Sequence, residues 1–336
     1  MSRDLQVVLL GEARYTAQEL SARAGIEREL ARRFWRALGY TDVSDDDRIF
    51  TDADVRALET LVRFMQTGVS ADVTVQQARV YGSSLARIAE ATVTSLEARI
   101  EELSVSSEQA LEVVADVMRE RMPDWDRLVA YVFHRQLLAA MRRSDLWDDP
   151  DREASGTLCV GFADLVGFTA LSQALDPQEL AAVVSRFEDL AYDTIGALGG
   201  RVVKMIGDEV MFVADDVGAA AEIALTLAET YARDETISAV RVGLASGPVL
   251  AHEGDYFGPV VNLASRIVNI AYPGTVVAAE DVYEALHGDP AFGWKPIRPR
   301  WLKGIGMTRL WALTRPGEGS VLVTELARRM RALARR

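Results

Sequence analysis

RVVKMIGDEVMF, residues 201–212, reads as two short strands folded about a Gly-Asp turn. RVVKMI (201–206) and VMFVA (210–214) are β-branched and apolar, and Gly207-Asp208 between them is turn punctuation. The lysine in this hairpin is conspicuous. The chain contains three lysines, Lys204, Lys295 and Lys303, against thirty-four arginines. A site needing only positive charge has been given arginine everywhere else, so Lys204 points to a compact ammonium wanted at one spot.

Working outward, TLCVGFADL (157–165) is an apolar strand, and DPQELAAVVSRFEDLAYDTIGAL (176–198) is an amphipathic helix stopped by Gly199-Gly200. After the hairpin come a helix over 216–232, a strand at 240–247 (VRVGLASG), a helix over 258–272 and a strand at 275–279 (TVVAA). The order β-α-β-β-α-β predicts an α+β domain over 157–314: a ferredoxin-like βαββαβ core in two layers, with additions.

Residues 1–145 follow a different grammar, helices joined by short polar turns, which predicts an all-α domain. Thr16 with Glu19 three residues later is a capping-box signature, and Gly25 breaks the pattern before ERELARRFWRAL. Further helices are predicted from TDADVRALETLVRFM, from SSLARIAEATVTSLEARIEEL and from DRLVAYVFHRQLLAAMRR. In the second of these Leu85, Ile88, Leu96, Ile100 and Leu103 share one face. The acidic stretch 146–156 reads as a linker, and 315–336 ends in a basic amphipathic segment whose plain reading is a solvated terminal helix.

At 336 residues the chain is long enough for two domains, each with its own core. A net charge of −13 opposes free-standing nucleic-acid binding, because phosphate contacts dominate that affinity. Cys159 is the only cysteine and cannot form an internal disulfide. No stretch approaches a membrane span and the N-terminus lacks a signal-peptide pattern, so a cytoplasmic protein without membrane contact is expected.

The chemistry gathers around carboxylates. Asp164 ends the first strand and Asp208 lies in the hairpin turn, and in a ferredoxin-like sheet those strands are neighbours. Singly, each is an ordinary turn aspartate. Together, with Lys204 on the strand between them, they suit Mg2+, which takes one or two protein oxygens and the rest from phosphate and water. Val166, Gly167, Phe168 and Thr169 run into a helix start and offer backbone N–H groups to a phosphate.

FADLVGFT, KMIGDEVMF, GDYFGPVVNLASR and WLKGIG, in that order and spacing, resemble the motif series of the class III nucleotidyl cyclase catalytic domain. The resemblance implies two metal ions, Mg2+ or Mn2+, on Asp164 and Asp208, one lowering the pKa of the ribose 3′-OH and one holding the triphosphate. It assigns base reading to Lys204 and Asp255. Lysine donates to adenine N1 and a carboxylate accepts from N6–H, whereas guanine mismatches both. It assigns transition-state stabilisation to Asn262 and Arg266, one helical turn apart, and the terminal phosphates to Lys303. In this family the metal aspartates and the base-reading residues come from different catalytic domains, so one domain per chain implies a homodimer with two composite sites. Two departures stand out: Pro248 replaces an arginine found in some members, and the stretch between Gly247 and Asp255 is short.

The reading is thus an adenylyl cyclase turning ATP into 3′,5′-cyclic AMP and pyrophosphate. A guanylyl cyclase is the nearest rival, opposed by Lys204 and Asp255. A GGDEF-type diguanylate cyclase shares the Gly-Asp-Glu turn but has no use for the NLASR helix. The N-terminal half resembles the helix-turn-helix opening of MerR-type regulators, so a DNA-binding regulator with a nucleotide-sensing cyclase-like half is a further alternative. Against it, residues 1–150 hold nineteen arginines, no lysine and twenty-six carboxylates. The basic run Arg28, Arg32, Arg33, Arg36 reads as a solvated helix face. The arrangement also resembles autoregulated actinobacterial cyclases, some of which sense pH or a lipid. That implies a regulatory N-terminal domain, with a small-molecule or lipid effector or a pH response. His134 and His252 are the candidate pH-sensing groups.

Overall fold

The computed structural model describes residues 2–143 and 156–317. The chain divides into two compact units, with the boundary between residues 152 and 153. Most of the linker reading (146–156) and of the terminal-helix reading (315–336) lies outside the described residues.

The first unit is all helical: α1 (Ser2–Leu9), α2 (Ala17–Ala24), α3 (Arg28–Ala37), α4 (Asp52–Gln66), α5 (Ala71–Leu103) and α6 (Ser107–Arg143). α2 begins at the expected capping box. The Glu19 N–H donates to Thr16 Oγ1 at 3.3 Å, and the Thr16 N–H donates to the Glu19 carboxylate at 3.0 Å. It stops at Gly25, which adopts φ 67°, a left-handed turn that glycine enters at no steric cost. α2, α3, α4 and the first half of α5 enclose a small core of Leu20, Ala24, Ala31, Phe34, Phe50, Leu58, Val75 and Ala78. Gly82 on α5 admits the α3 end, since a Cβ there would lie 2.5 Å from the Leu38 carbonyl oxygen.

Two outcomes differ from the periodicity. α6 begins at Ser107, well before the expected start at Asp126, because it runs straight through Pro123. Proline removes one N–H and normally ends a helical pattern. The apolar face of α5 is present, but Leu85, Ile88 and Leu103 on it are exposed. The four-arginine run is paired within the chain: Arg28 with Asp45, Arg32 with Glu29, Arg33 with Asp72 and Arg36 with Asp42.

The second unit contains β1 (Thr157–Leu165), α7 (Phe168–Ala174), α8 (Pro177–Ala197), β2 (Arg201–Ile206), β3 (Glu209–Ala214), α9 (Val217–Arg233) and β4 (Val240–Pro248). It continues with β5 (Leu250–His252), β6 (Asp255–Phe257), α10 (Pro259–Val268), β7 (Val276–Ala279), α11 (Glu280–Leu286), β8 (Gly293–Leu302) and β9 (Gly306–Thr314). The main sheet has the order β2-β3-β1-β4-β7-β9-β8, and β5-β6 form a separate hairpin. Its first four strands, each antiparallel to its neighbours, are the ferredoxin-like core; β7 adds parallel to β4, and the β9-β8 pair extends the edge.

Strand alternation divides β1 between two cores. Cys159, Ala163 and Leu165 face α8 and α9 together with Phe187, Ile223 and Leu227. Leu158, Val160 and Phe162 face α10 together with Met211, Val213, Ala264 and Ile267. The two-layer expectation is therefore corrected: α10 covers the face opposite α8 and α9. It approaches closely because β4 carries Gly243, where a Cβ would sit 2.4 Å from the Val268 nitrogen and 2.7 Å from the Ala264 oxygen.

Candidate active site

The register of the sheet brings the carboxylates together. Glu209 of β3 pairs with Asp164 of β1, which pairs with Arg241 of β4, so their side chains share a face. By alternation this is the Phe162 face, the one α10 covers. Asp208 sits beside them in the β2–β3 turn, where its carbonyl accepts the Leu165 N–H at 2.9 Å. Arg241 Nε donates to Asp164 Oδ2 at 2.6 Å, and Arg241 Nη1 donates to the Asn269 carbonyl at 3.3 Å.

The electrostatics are those of crowded, partly buried carboxylates. Burial pushes the Asp164 carboxyl up, Arg241 pulls it back, and the charge of Asp208 raises it again. Glu209 is pushed up to about 7, first by burial and then by the charges of Asp164 and Asp208. Such a cluster holds excess negative charge that a hard cation relieves.

One register step along the strands, Lys204 of β2 lies opposite Met211 of β3. Its ammonium is ion-paired with the Asp255 carboxylate at the start of β6, both side chains being about one-third exposed (32% and 27%). The other Asp255 oxygen accepts the Tyr256 N–H at 2.8 Å, and Arg201 Nη2 donates to the Tyr256 hydroxyl at 3.1 Å. The structure thus joins the two residues that the sequence assigns to base reading, though they lie fifty-one positions apart.

α10 starts at Pro259 after Gly258, whose φ of 138° favours glycine. Its buried side is Val260, Ala264, Ile267 and Val268, while Asn262 and Arg266 are exposed one turn apart. Lys303 is exposed in the β8–β9 turn, flanked by Trp301 and Met307, which pair in register and are 74% and 67% exposed. In the 166–169 segment the Val166 N–H is already committed to the Ala239 carbonyl at 3.1 Å, so Val166 cannot offer it to a phosphate. Gly167, Phe168 and Thr169 keep the N-cap and first-turn positions whose N–H groups a helix leaves without an intrahelical partner. His134 is exposed on α6, in the other unit, and His252 is exposed on β5, opposite Asp255 in the hairpin.

This architecture has relatives. The sequence profile of the adenylate and guanylate cyclase catalytic domain matches residues 151–315, and that of the adenylate cyclase regulatory domain matches residues 5–141. An adenylate cyclase of Streptomyces coelicolor is 37% identical over 343 residues, covering 94% of this chain and 90% of its own length. One from Streptomyces griseus is 35% identical, covering 94% and 89%, and a pH-sensitive adenylate cyclase of Mycobacterium tuberculosis is 32% identical, covering 90% and 80%. The chain belongs to the adenylate cyclase family.

Two residues of this cyclase's site escaped the sequence reading. Glu209 reads in the sequence as part of the Gly-Asp-Glu turn, although it opens β3 and aligns with Asp164. Arg241 was one arginine among thirty-four, and the usable signal was a charge inside the otherwise apolar strand VRVGLASG. The donor set fits a hard divalent cation, being carboxylate oxygens with no sulfur or imidazole among them. Among the described residues no three carboxylate, imidazole or thiol groups are gathered closely enough to hold a metal ion. No described helix is long and apolar enough to cross a membrane.

Proposed function

We propose that this cyclase converts ATP to 3′,5′-cyclic AMP and pyrophosphate in a homodimer, with activity governed by the N-terminal unit. The observation that carries the reading is the Lys204–Asp255 pair, a donor and an acceptor held together on the sheet face that also presents Asp164. Lys204 donates a hydrogen bond to adenine N1, and the Asp255 carboxylate accepts one from N6–H. Asp164 and Asp208 would hold two divalent cations, Mg2+ or Mn2+, which would supply Lewis-acid stabilisation of the phosphates and lower the pKa of the ribose 3′-OH. The ribose 3′-OH gives up its proton to solvent, its oxygen bonds to the α-phosphorus, the bond from that phosphorus to the bridging β-phosphate oxygen breaks, and pyrophosphate leaves. Asn262 orients the ribose and Arg266 neutralises the charge growing on the α-phosphate, which is where a fixed cation lowers a barrier most. Lys303 and the N–H groups of Gly167 to Thr169 hold the remaining phosphate oxygens.

The dimer reading is supported by exposure. Asn262, Arg266 and Lys303 point outward, and beside Lys303 stand Trp301 and Met307, a hydrophobic pair typical of a covered surface. In a composite site one protomer supplies Asp164 and Asp208, its partner the base-reading and transition-state residues.

The test is product formation by the full-length protein and by residues 150–336, each given ATP or GTP with Mn2+ over a range of pH. Cyclic AMP from ATP supports the reading, and a difference between the two proteins gives the sign of regulation. No cyclic product from either nucleotide sinks it. A pH response is the finer expectation, one relative being named for it. A His134→Ala or His252→Ala protein whose pH–activity curve is unchanged removes that residue as the sensor.

A further inference from the structure

Arg201 and Lys204 stand three positions apart on β2, a spacing that puts side chains on opposite faces of a regular strand. The register changes that. Arg201 pairs with Val213 and Lys204 with Met211, three steps on β2 against two on β3, so the strand bulges at Val203. One extra residue re-aims every side chain after it. Val213 and Met211 belong to one core, and Arg201 and Lys204 therefore share their face, the one α10 covers.

Both side chains reach the β5–β6 hairpin. Lys204 is ion-paired with Asp255, and Arg201 Nη2 donates to the Tyr256 hydroxyl at 3.1 Å. The turn residues of that hairpin, Glu253 and Gly254, have φ of 52° and 80°, the positive values of a two-residue hairpin turn. The turn sets Asp255 opposite His252. The hairpin is thus fixed within itself, but among the described residues it shares no ladder with the main sheet. Its seat depends on side chains. Tyr256 packs against the core that holds Met211 and Val213, and Arg201 Nη1 lies 3.6 Å from Asp215, which steadies the guanidinium. An ion pair between partly exposed groups, such as Lys204 and Asp255, holds weakly and leaves rotation about it free. A second attachment at the next residue removes that freedom.

We propose that Arg201 and Tyr256 are positioning residues for base selection. With the Val203 bulge aiming both cations at β6, their contact holds Asp255 at the angle from which it accepts N6–H and turns guanine O6 away. This role rests on the base-reading assignment of Lys204 and Asp255 above.

The experiment uses the full-length protein. Tyr256→Phe removes the hydroxyl and keeps the ring in its core; Arg201→Met keeps the stem and removes the donor. Each variant, the pair combined and Lys204→Ala are compared by kcat/KM for ATP and for GTP, with GTP scored by its inhibition of ATP turnover if it yields no product. Tyr256→Phe and Arg201→Met should each lower the preference for ATP by roughly three- to tenfold, the range for one lost hydrogen bond. The combined variant should lose no more than either single one, because both remove the same contact. A merely structural loss would slow both nucleotides alike, and that result, or losses that add in the combined variant, overturns the proposal. A preference shifted by Lys204→Ala but not by Tyr256→Phe also overturns it and leaves base reading standing. A preference that Lys204→Ala leaves unchanged removes base reading, and the positioning role with it.

Discussion

The two units bury their apolar residues in different ways. In the catalytic unit both faces of the sheet are covered, and side chains as large as Tyr231, Phe187 and Phe212 are fully enclosed. Among its described residues the helical unit fully encloses one large aromatic side chain, Phe34, while Leu128, Tyr131, Phe133 and Leu137 of α6 stand exposed. A sheet supplies partners for its own faces through register, but a long helix has only what crosses it. The catalytic unit is therefore a rigid mount for charges. The helical unit holds its fold on one small core.

The sharpest cut at this contrast is Asp208→Ala. Removing one of the two carboxylates proposed to hold the cations should reduce cyclic AMP formation by about 1000-fold or more. Because Asp208 packs in no core, the melting temperature should hold, and a fall in both would show that the turn is structural. On the other side, Phe34→Ala should cost the helical unit about 3–5 kcal/mol, as truncation of a buried aromatic does. Thermal unfolding should then gain an early transition, leaving the catalytic unit's transition in place. A single shifted transition would mean that the two units unfold as one.

Gly243→Ala tests whether the mount is as tight as its distances suggest. The new methyl group must displace α10, which carries Asn262 and Arg266, and a shift near 1 Å should lower turnover by about 100-fold. Normal activity in this variant would break the rigid-mount account. Lys204→Ala should reduce the preference for ATP over GTP by roughly 5- to 150-fold, the range for an unmatched buried polar group. Unchanged preference would move base recognition elsewhere.

The smallest effect belongs to Asp234, at the end of α9. Its carboxylate accepts the Thr236 hydroxyl and N–H at 2.5 and 2.8 Å and pairs with Arg186, which together hold it down at about 2. A folded-state value below the ordinary one means the stabilisation is complete above about pH 4 and is lost as pH falls toward 2. Asp234→Asn should lower the melting temperature by a few degrees at neutral pH, with the gap to the parent closing in acid. A gap that persists at pH 2 would assign the effect to packing.

What could be read from residues alone follows the same division. β1, the β2–β3 hairpin, α8 and α9 are apolar runs between glycine and proline stops, and each stands where the pattern places it. The β8–β9 pair was invisible because GWKPIRPRWL carries two prolines and three charges, the marks of an edge strand rather than a core one. On α5 the periodicity correctly marks one face as apolar, but periodicity never says what covers it. Within the site, Asp164, Asp208 and Lys204 were legible from residue type and turn chemistry. Glu209 and Arg241 became meaningful only through register, since a one-residue slip would have put both on the other face.

The Lys204–Asp255 pair has a further consequence. With no base present, the two groups already satisfy each other. If these residues read the base as proposed, an arriving adenine must part them, exchanging an ion pair for two neutral-partner hydrogen bonds, so recognition of the base adds little to the grip on the nucleotide. A guanine would part them and leave the ammonium facing an N–H and the carboxylate facing a carbonyl oxygen. On the proposed reading, the site would select its substrate by whom it turns away and hold it by the phosphates.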